Sequence, residues 1–90
     1  MTGSIRALPV VDRLERDGRT LLLLEHRVIE LSPLALATYD AASEGVAGLE
    51  DLVAVLVAEF GAPPEGDASE GVRRVVDELV GLGLLEHAEG

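Results

Sequence analysis

Cysteine, lysine and tryptophan are absent from this chain of 90 residues, and aromatic residues make up only 2% of it. The lack of cysteine excludes a disulfide scaffold, a thiol nucleophile and cysteine-ligated zinc. The longest apolar runs are far too short to span a membrane, and the first residues lack the pattern of a secretion signal. We therefore expect a cytoplasmic protein whose stability comes from an aliphatic core.

Positive charge is also scarce, because 17 Asp and Glu residues face seven arginines and the net charge is −10. Surfaces that bind nucleic acid need basic patches to neutralise phosphates. The average surface of this chain would repel nucleic acid, so we expect no nucleic-acid partner. Arginine without lysine, together with abundant alanine and glycine, is typical of a GC-rich bacterial genome.

The hydrophobic fraction of 48% is arranged periodically enough to predict one folded domain. We expect this domain over residues 8–87, after a flexible N-terminus over residues 1–7. Asp17-Gly18 separates two apolar-rich runs and predicts a hairpin, because glycine accepts the positive φ of a tight turn. The predicted strands of an antiparallel meander are 9–15, 20–25 and 28–31.

Ser32-Pro33 marks the change from strands to helices. Serine at an N-cap accepts a hydrogen bond from a free amide, and proline fits the first helical position. The first helix is predicted to end before Gly45. Its predicted core-facing stripe comprises Leu34, Ala37, Thr38 and Ala41.

Two further helices have a clearer period. The second carries Leu49, Leu52, Val53, Leu56 and Phe60 on one face. The third, with Asp67 or Ser69 as its cap, carries Val72, Val75, Val76, Leu79 and Leu82. The apolar tail LLEH docks as a strand or folds back. Strands followed by helices predict an α+β domain with the helices on one side of the sheet.

The four consecutive leucines at 21–24 do not alternate with polar residues as a half-buried strand should. We expect two of them to face the helices and two to face the opposite side of the sheet. The chain has too few elements for a second covering layer. Either the segment from Leu8 to Val11 folds across that face, or a partner or a second copy in a homodimer covers it.

Several motifs in a fixed order resemble the PqqD-like family, the recognition elements of ribosomal peptide modification. They comprise VIELSP, Tyr39 within a helix, Gly45, LEDLVAVLVAEFG, a polar loop and VRRVVDELVGLGLLE. The resemblance extends roughly from Leu8 to Glu86. Tyr39 stands where tryptophan is common in the family, and the first helix is richer in alanine, which fits a smaller core.

The resemblance implies a non-catalytic, winged-helix-like domain that captures the leader segment of a precursor peptide. Such domains present the leader to a radical SAM enzyme, a cyclodehydratase, or a leader peptidase and cyclase pair. The leader is held as a strand added to the third strand, with the third helix as the other wall. Carried over by position, the peptide-binding residues are Arg27, Val28, Ile29, Glu30 and Leu31 on the strand, and Arg73, Val76, Asp77 and Val80 on the helix.

The predicted third strand agrees with this implication, because VIEL has one charge and no proline to protect an exposed edge. The alternative is a short edge strand covered by a loop or by the C-terminal tail. If the Ile29 amide faces the ligand, Ile29→Pro would abolish binding. Arg73 and Arg74 are candidate contacts for an acidic leader, although carboxylates three or four residues away also allow ordinary intrahelical pairs.

No pattern in the chain indicates catalysis, a metal or a cofactor. His26 and His87 lack ligand spacing and are expected to be solvated. None of the serines lies in a nucleophile motif, and Ser32 is better explained as a cap. We therefore expect a protein that is not an enzyme.

Three other functions suit a chain of this class. A winged-helix DNA-binding protein would need a positive recognition helix after a short turn, whereas this loop is long and the net charge is negative. A carrier protein would need a serine in an Asp-Ser-Leu-like context at a helix start. An adaptor or regulatory subunit without a precursor peptide would use the same fold and stays open.

Overall fold

The computed structural model describes residues 4–46, 48–62 and 66–88. The elements of these ranges, in chain order, are β1 (Ser4–Ala7), β2 (Asp12–Arg16), β3 (Arg19–Leu23), β4 (Val28–Leu31), α1 (Pro33–Ser43), α2 (Leu49–Phe60), α3 (Ala68–Gly81) and β5 (Leu85–Ala88). The predicted α+β class, with a three-stranded antiparallel sheet followed by three helices, is confirmed.

Strands β2, β3 and β4 form one sheet with β3 in the centre. The β2–β3 connection is the predicted Asp17-Gly18 turn, in which φ is 53° and 75°. Two residues in the left-handed region match the twist of the flanking strands, so the turn brings Arg16 opposite Arg19. The short turn thereby sets the register of the hairpin.

The leucine run divides between the two faces of the sheet, as its alternation requires. Leu22 is fully buried and Leu24 packs against the helical core, so these two face inward. Leu21 and Leu23 lie on the opposite face, which we call the outer sheet face. The outer sheet face is turned away from the helices.

The segment from Leu8 to Val11 does not cover that face. The Leu8 amide donates to the Leu84 carbonyl (2.8 Å), and the Tyr39 hydroxyl donates to the Leu8 carbonyl (2.6 Å). Val10 packs against the core, while Val11 is 71% exposed. The expectation of a local cover is therefore wrong, because these bonds hold the segment on the helical side.

Strand β1 lies within the segment 1–7, for which we predicted a flexible N-terminus. β1 pairs antiparallel with β5 in a second, two-stranded sheet, so the C-terminal tail takes the strand alternative. Ile5 and Leu85 are buried in this sheet, against which α1 and α3 pack. The pairing joins the two ends of the chain, and residues 1–3 lie outside the described residues.

Two helices begin at side-chain caps. The Ala35 amide donates to the Ser32 hydroxyl (3.2 Å), and the Ser69 amide donates to the Asp67 carboxylate (3.0 Å). Each such cap contributes about 1 kcal/mol. Helix α2 begins at Gly48 without a side-chain cap, and its first turn carries two carboxylates that complement the helix dipole.

The buried face of α1 is rotated from the predicted stripe. Its buried residues are Ala35, Thr38, Tyr39, Ala41 and Ala42. Leu34 is exposed and Ala37 is only partly buried, which corrects the prediction at these positions. Tyr39 decides the rotation, because it is the largest side chain of the helix and its hydroxyl bonds inside the fold. Burial, and to a smaller extent the Asp40 carboxylate, raises the pKa of Tyr39.

The predicted core-facing positions of α2 and α3 are largely confirmed. Their buried residues are Leu52, Leu56, Val72, Val76 and Leu79. Phe60, at the end of the predicted α2 stripe, is an exception and is 47% exposed. Full burial of one leucine side chain stabilises the fold by roughly 1.5–3 kcal/mol, so this set supplies most of the helical contribution to the core.

Candidate peptide-binding groove

Strand β4 is an edge of the three-stranded sheet in the described part of the chain. Hydrogen-bonded and non-bonded pairs alternate along an antiparallel ladder. The Leu24 amide donates to the Arg27 carbonyl (2.7 Å), and the register pairs Ile29 with Leu22. Ile29 therefore directs its amide and carbonyl towards β3, and Val28 and Glu30 direct theirs towards the open edge.

This alternation corrects the proposed use of Ile29. The expected loss of binding in Ile29→Pro requires an Ile29 amide that faces the ligand. The structure turns that amide into the sheet, so proline there would break the β3–β4 ladder. Proline at Glu30 removes an outward amide instead.

The N-terminal end of β4 is tied to the C-terminal end of α3. Arg27 Nη2 donates to the Leu82 carbonyl (2.6 Å). A cation suits this place because the last carbonyls of a helix carry the negative end of its dipole. A Cβ on Gly83 would lie 3.3 Å from Arg27 Nη2 and φ there is 82°, so glycine also favours this close approach.

Leu34, in the first turn of α1 and three residues beyond β4, lines a cavity of about 410 Å³ whose other walls are the end of α2 and the start of α3, including Gly71 and Arg74. Together with the Arg27–Leu82 bond at the other end of the strand, this position leads us to infer that β4 runs along α3 and antiparallel to it. We call the space between them the β4–α3 groove. We define it by Arg27–Leu31 on the strand and by the flank of α3 that runs from Gly71 and Arg74 through Glu78 to Leu82, at spacings of three or four residues.

The structure does not bring the predicted helix wall to this groove. Arg73, Val76 and Asp77 line a different cavity, of about 560 Å³, with Leu49 of α2 and His87 of β5. Val76 is 1% exposed and belongs to the core. These three residues lie on the flank of α3 that faces the two-stranded sheet.

Val80 also lies outside the groove wall, because it follows Val76 and Asp77 at spacings of four and three residues and so lies on their flank of α3. The flank of α3 that faces β4 follows Gly71, Arg74, Glu78 and Leu82. The periodicity of the helix predicts its buried stripe, and it carries no signal for which flank faces which neighbour.

Arginine stands at each end of the groove, and carboxylates stand between them. Arg74 contacts Glu70 at 3.6 Å, and both side chains are largely exposed. Such a pair contributes at most about 1 kcal/mol, so Arg74 can exchange it for a ligand carboxylate at little cost. Glu30, on β4, is about half exposed and lies beside Arg19 (3.7 Å).

The opposite edge of the sheet, β2, has a different character. All of its residues, DRLER, are exposed, and four of the five are charged. Arg13 makes a bidentate contact with Asp40 of α1 (2.8 and 3.2 Å), and this hydrogen bonding raises the pKa of Arg13. Charged side chains protect an edge from further pairing, so β2 is the less suitable edge for a peptide.

In the described ranges, no group of three or more histidine, aspartate or glutamate side chains converges to hold a metal ion. No helix of the same ranges has the length and apolar character to cross a membrane. Comparison of the chain with protein-family models, with curated proteins and with solved structures finds no match.

Proposed function

We propose that this protein is a non-catalytic binding module that captures the leader segment of a ribosomally made precursor peptide. The leader adds as a strand to the open edge of β4 and lies in the β4–α3 groove. The module then presents the peptide to a modifying enzyme, which is a radical SAM enzyme, a cyclodehydratase, or a leader peptidase and cyclase pair. Such a module works in the cytoplasm, where ribosomal products are made.

The observation that carries the proposal is the pairing of an open strand edge with a helix held alongside it. Val28 and Glu30 direct two amides and two carbonyls to the edge, and an extended peptide can satisfy all four groups. The sequence of β4 has neither proline nor a run of charges. The motif order that resembles the PqqD-like family implies a leader on this same strand and so supports the proposal.

The energetics require contacts beyond the main chain. Each main-chain hydrogen bond contributes about 0.5–1.5 kcal/mol net, so four contribute roughly 2–6 kcal/mol. A micromolar complex needs about 8 kcal/mol after the cost of association is met. Side chains of the peptide that point into the groove must supply the rest, against Leu82 and the apolar cavity beside Leu34.

The Arg27–Leu82 bond preorganises the β4–α3 groove in the absence of a peptide. It fixes the separation between the strand and the C-terminal end of α3. Because β4 and α3 are already held in place relative to one another, they lose less conformational entropy when the peptide binds. This bond uses Arg27 Nη2, so Nη1 and Nε can donate to a carboxylate of the leader.

An NMR titration tests the proposal. The probe is a synthetic peptide covering the N-terminal half of a short precursor-like reading frame beside this gene. We expect saturable amide shifts at residues 27–31 and on the Gly71, Arg74, Glu78 and Leu82 flank of α3. Shifts confined to Arg73, Asp77 and His87 would move the peptide site to the other cavity.

An absence of shifts at about 1 mM peptide, roughly a thousand times the micromolar range expected here, would contradict leader capture. That result would favour an adaptor or regulatory subunit, which the same fold can serve.

A further inference from the structure

A shallow groove of about 370 Å³ lies between α1 and α2 and shares no lining residue with the two cavities described above. We call it the α1–α2 groove. Its floor is apolar and comprises Leu36, Ala37, Ala41 and Val55. Val55 is 40% exposed, and Leu36 and Ala37 are only partly buried. Apolar surface of both helices is therefore open to solvent in this groove.

Carboxylates surround this apolar floor. Among the described residues, the charged side chains that line the groove are Asp40, Glu44 and Glu59. Arg13 of β2 pairs with Asp40, whereas Glu44 and Glu59 make no ion pair in the described ranges. Residues 33–60, which include both helices, contain five carboxylates and no basic residue. The groove therefore combines an apolar floor with a net negative charge.

The two unpaired carboxylates lie towards opposite ends of the groove. Glu44 is the C-cap of α1. Glu59 precedes Phe60, the last residue of α2, and Phe60 shares the 410 Å³ cavity with Leu34 near the start of α1. Glu59 therefore lies near the start of α1, about 15 Å from Glu44 along the helix axis.

The occupant that suits this groove is a helix. Neither α1 nor α2 offers an open strand edge, so a bound segment must satisfy its own main-chain groups. An amphipathic helix does so, and it can lay an apolar stripe on the floor. Ala37 and Ala41 are small, which allows helix axes to approach to about 8–10 Å. Lysine or arginine beside the stripe, about ten residues apart, would then reach Glu44 and Glu59.

The charge of the groove excludes several other occupants. Nucleic acid and an anionic membrane surface would be repelled. A second copy of the chain has no basic helix to offer, because α1, α2 and α3 each contain more carboxylates than arginines. The complement of this groove is therefore a basic segment of a different protein.

We propose that the α1–α2 groove binds a basic amphipathic helix of a protein partner. The α1–α2 groove and the β4–α3 groove share no residue, so a helix in the first and a strand at β4 can be bound together. The inference is independent of the proposed function.

Fluorescence anisotropy of a labelled synthetic peptide tests the proposal on the whole chain. The probe is a helical peptide of 15 residues, about 22 Å long, with a stripe of leucines flanked by lysines. We expect a dissociation constant of about 100 µM at low salt, and it should rise as salt screens the charges. A control peptide has the same composition rearranged so that no apolar stripe forms, and it should bind at least about tenfold more weakly.

Paired substitutions test the location of the site. Glu44→Gln and Glu59→Gln should each weaken binding about two- to threefold at low salt, whereas Glu50→Gln, which removes the same charge elsewhere on α2, should have a smaller effect than either. Val55→Gln should weaken binding about fivefold, because it places an amide on the apolar floor. Ala54→Gln is its control at an exposed position outside the groove and should leave affinity unchanged.

Three results would overturn the proposal. The first is a dissociation constant above about 1 mM for the amphipathic peptide at low salt. The second is equal binding of the rearranged peptide. The third is an equal loss of affinity in the groove variants and their controls, which would mean that the peptide responds only to the net charge of the chain.

Discussion

Strands β2 and β4 are the two edges of one small sheet, and they present very different surfaces to an approaching chain. β2 carries four charges in five residues, all exposed, whereas β4 carries one charge in four. Both edges have main-chain groups outside the ladder, and on β2 the outward Arg13 amide donates to the Asp12 carboxylate (2.8 Å). The difference therefore lies in the side chains and in the neighbours. An edge can be protected on one side of a sheet and left available on the other.

The two edges are also held to the helices by different contacts. Arg13 joins β2 to α1 through the Asp40 carboxylate, an ion pair between two partly exposed side chains. Arg27 joins β4 to the last turn of α3 through the Leu82 carbonyl. The first contact anchors a strand, and the second sets the opening of a groove. Four substitutions separate these roles.

The largest expected effect is the loss of the sheet in Ile29→Pro. Proline removes the amide bonded to Leu22 and truncates a side chain that packs against the core, which should cost about 3 kcal/mol or more. Urea denaturation followed by circular dichroism measures the loss. Glu30→Pro is the control and should stay within about 1 kcal/mol of wild type. A larger loss of stability in Glu30→Pro than in Ile29→Pro would mean that Glu30, and not Ile29, bonds to β3.

Glu30→Pro should weaken peptide binding and have little effect on stability. It removes an outward amide and places a ring at the open edge, so we expect leader affinity to fall at least tenfold, about 1.4 kcal/mol. Glu15→Pro makes the same change at an outward position of β2 and should alter affinity by less than about twofold, since it leaves the ligand-facing bonds intact. Fluorescence anisotropy of a labelled leader peptide compares them. A greater loss of affinity in Glu15→Pro than in Glu30→Pro would place the peptide on β2.

Arg27→Met tests the hydrogen bond between Arg27 and the Leu82 carbonyl, which joins β4 to α3. Methionine keeps an apolar stem and loses the bond to the Leu82 carbonyl, so we expect affinity to fall about fivefold, near 1 kcal/mol, with a small loss of stability. The corresponding change at the other edge, Arg13→Met, should lower stability by about as much and leave affinity unchanged. The same anisotropy assay measures the affinities, and urea denaturation measures the stabilities. A loss of affinity in Arg13→Met alone would contradict a peptide site at β4.

The smallest effect is expected from the exposed arginines of α3. Arg74→Gln should weaken binding of an acidic leader about two- to threefold at low salt, and the loss should shrink as salt screens the charge. Arg73→Gln, one residue away and on the other flank, is the control and should change nothing. A larger loss in Arg73→Gln than in Arg74→Gln would favour the helix wall that the family resemblance implied.

The local features of the fold were predictable because each rests on a few adjacent residues. Asp17-Gly18 predicted the hairpin, Ser32-Pro33 predicted the start of α1, and Asp67 was one of two candidates for the cap of α3. In each case the backbone dihedral angles, or an amide without a helical partner, favour a particular residue type. Amphipathic spacing likewise predicted the buried faces of α2 and α3.

The missed features depend on residues far apart in the chain. The β1–β5 pairing joins the segment at Ser4 to the tail after Leu84, and neither short strand has a local pattern strong enough to predict it. The direction of the Ile29 amide depends on register with β3. The stripe of α1 failed for another reason, because its many alanines pack almost equally well on either side and Tyr39 decides the outcome.

Hydrogen exchange of individual amides, with and without saturating leader peptide, tests the central claim most directly. Val28 and Glu30 on β4 should become strongly protected when the peptide binds, because their amides then donate to its carbonyls. Arg13 and Glu15, the outward positions of β2, should exchange at the same rate in both states. Unchanged exchange at Val28 and Glu30 in the bound state, or protection at Arg13 and Glu15, would contradict the account.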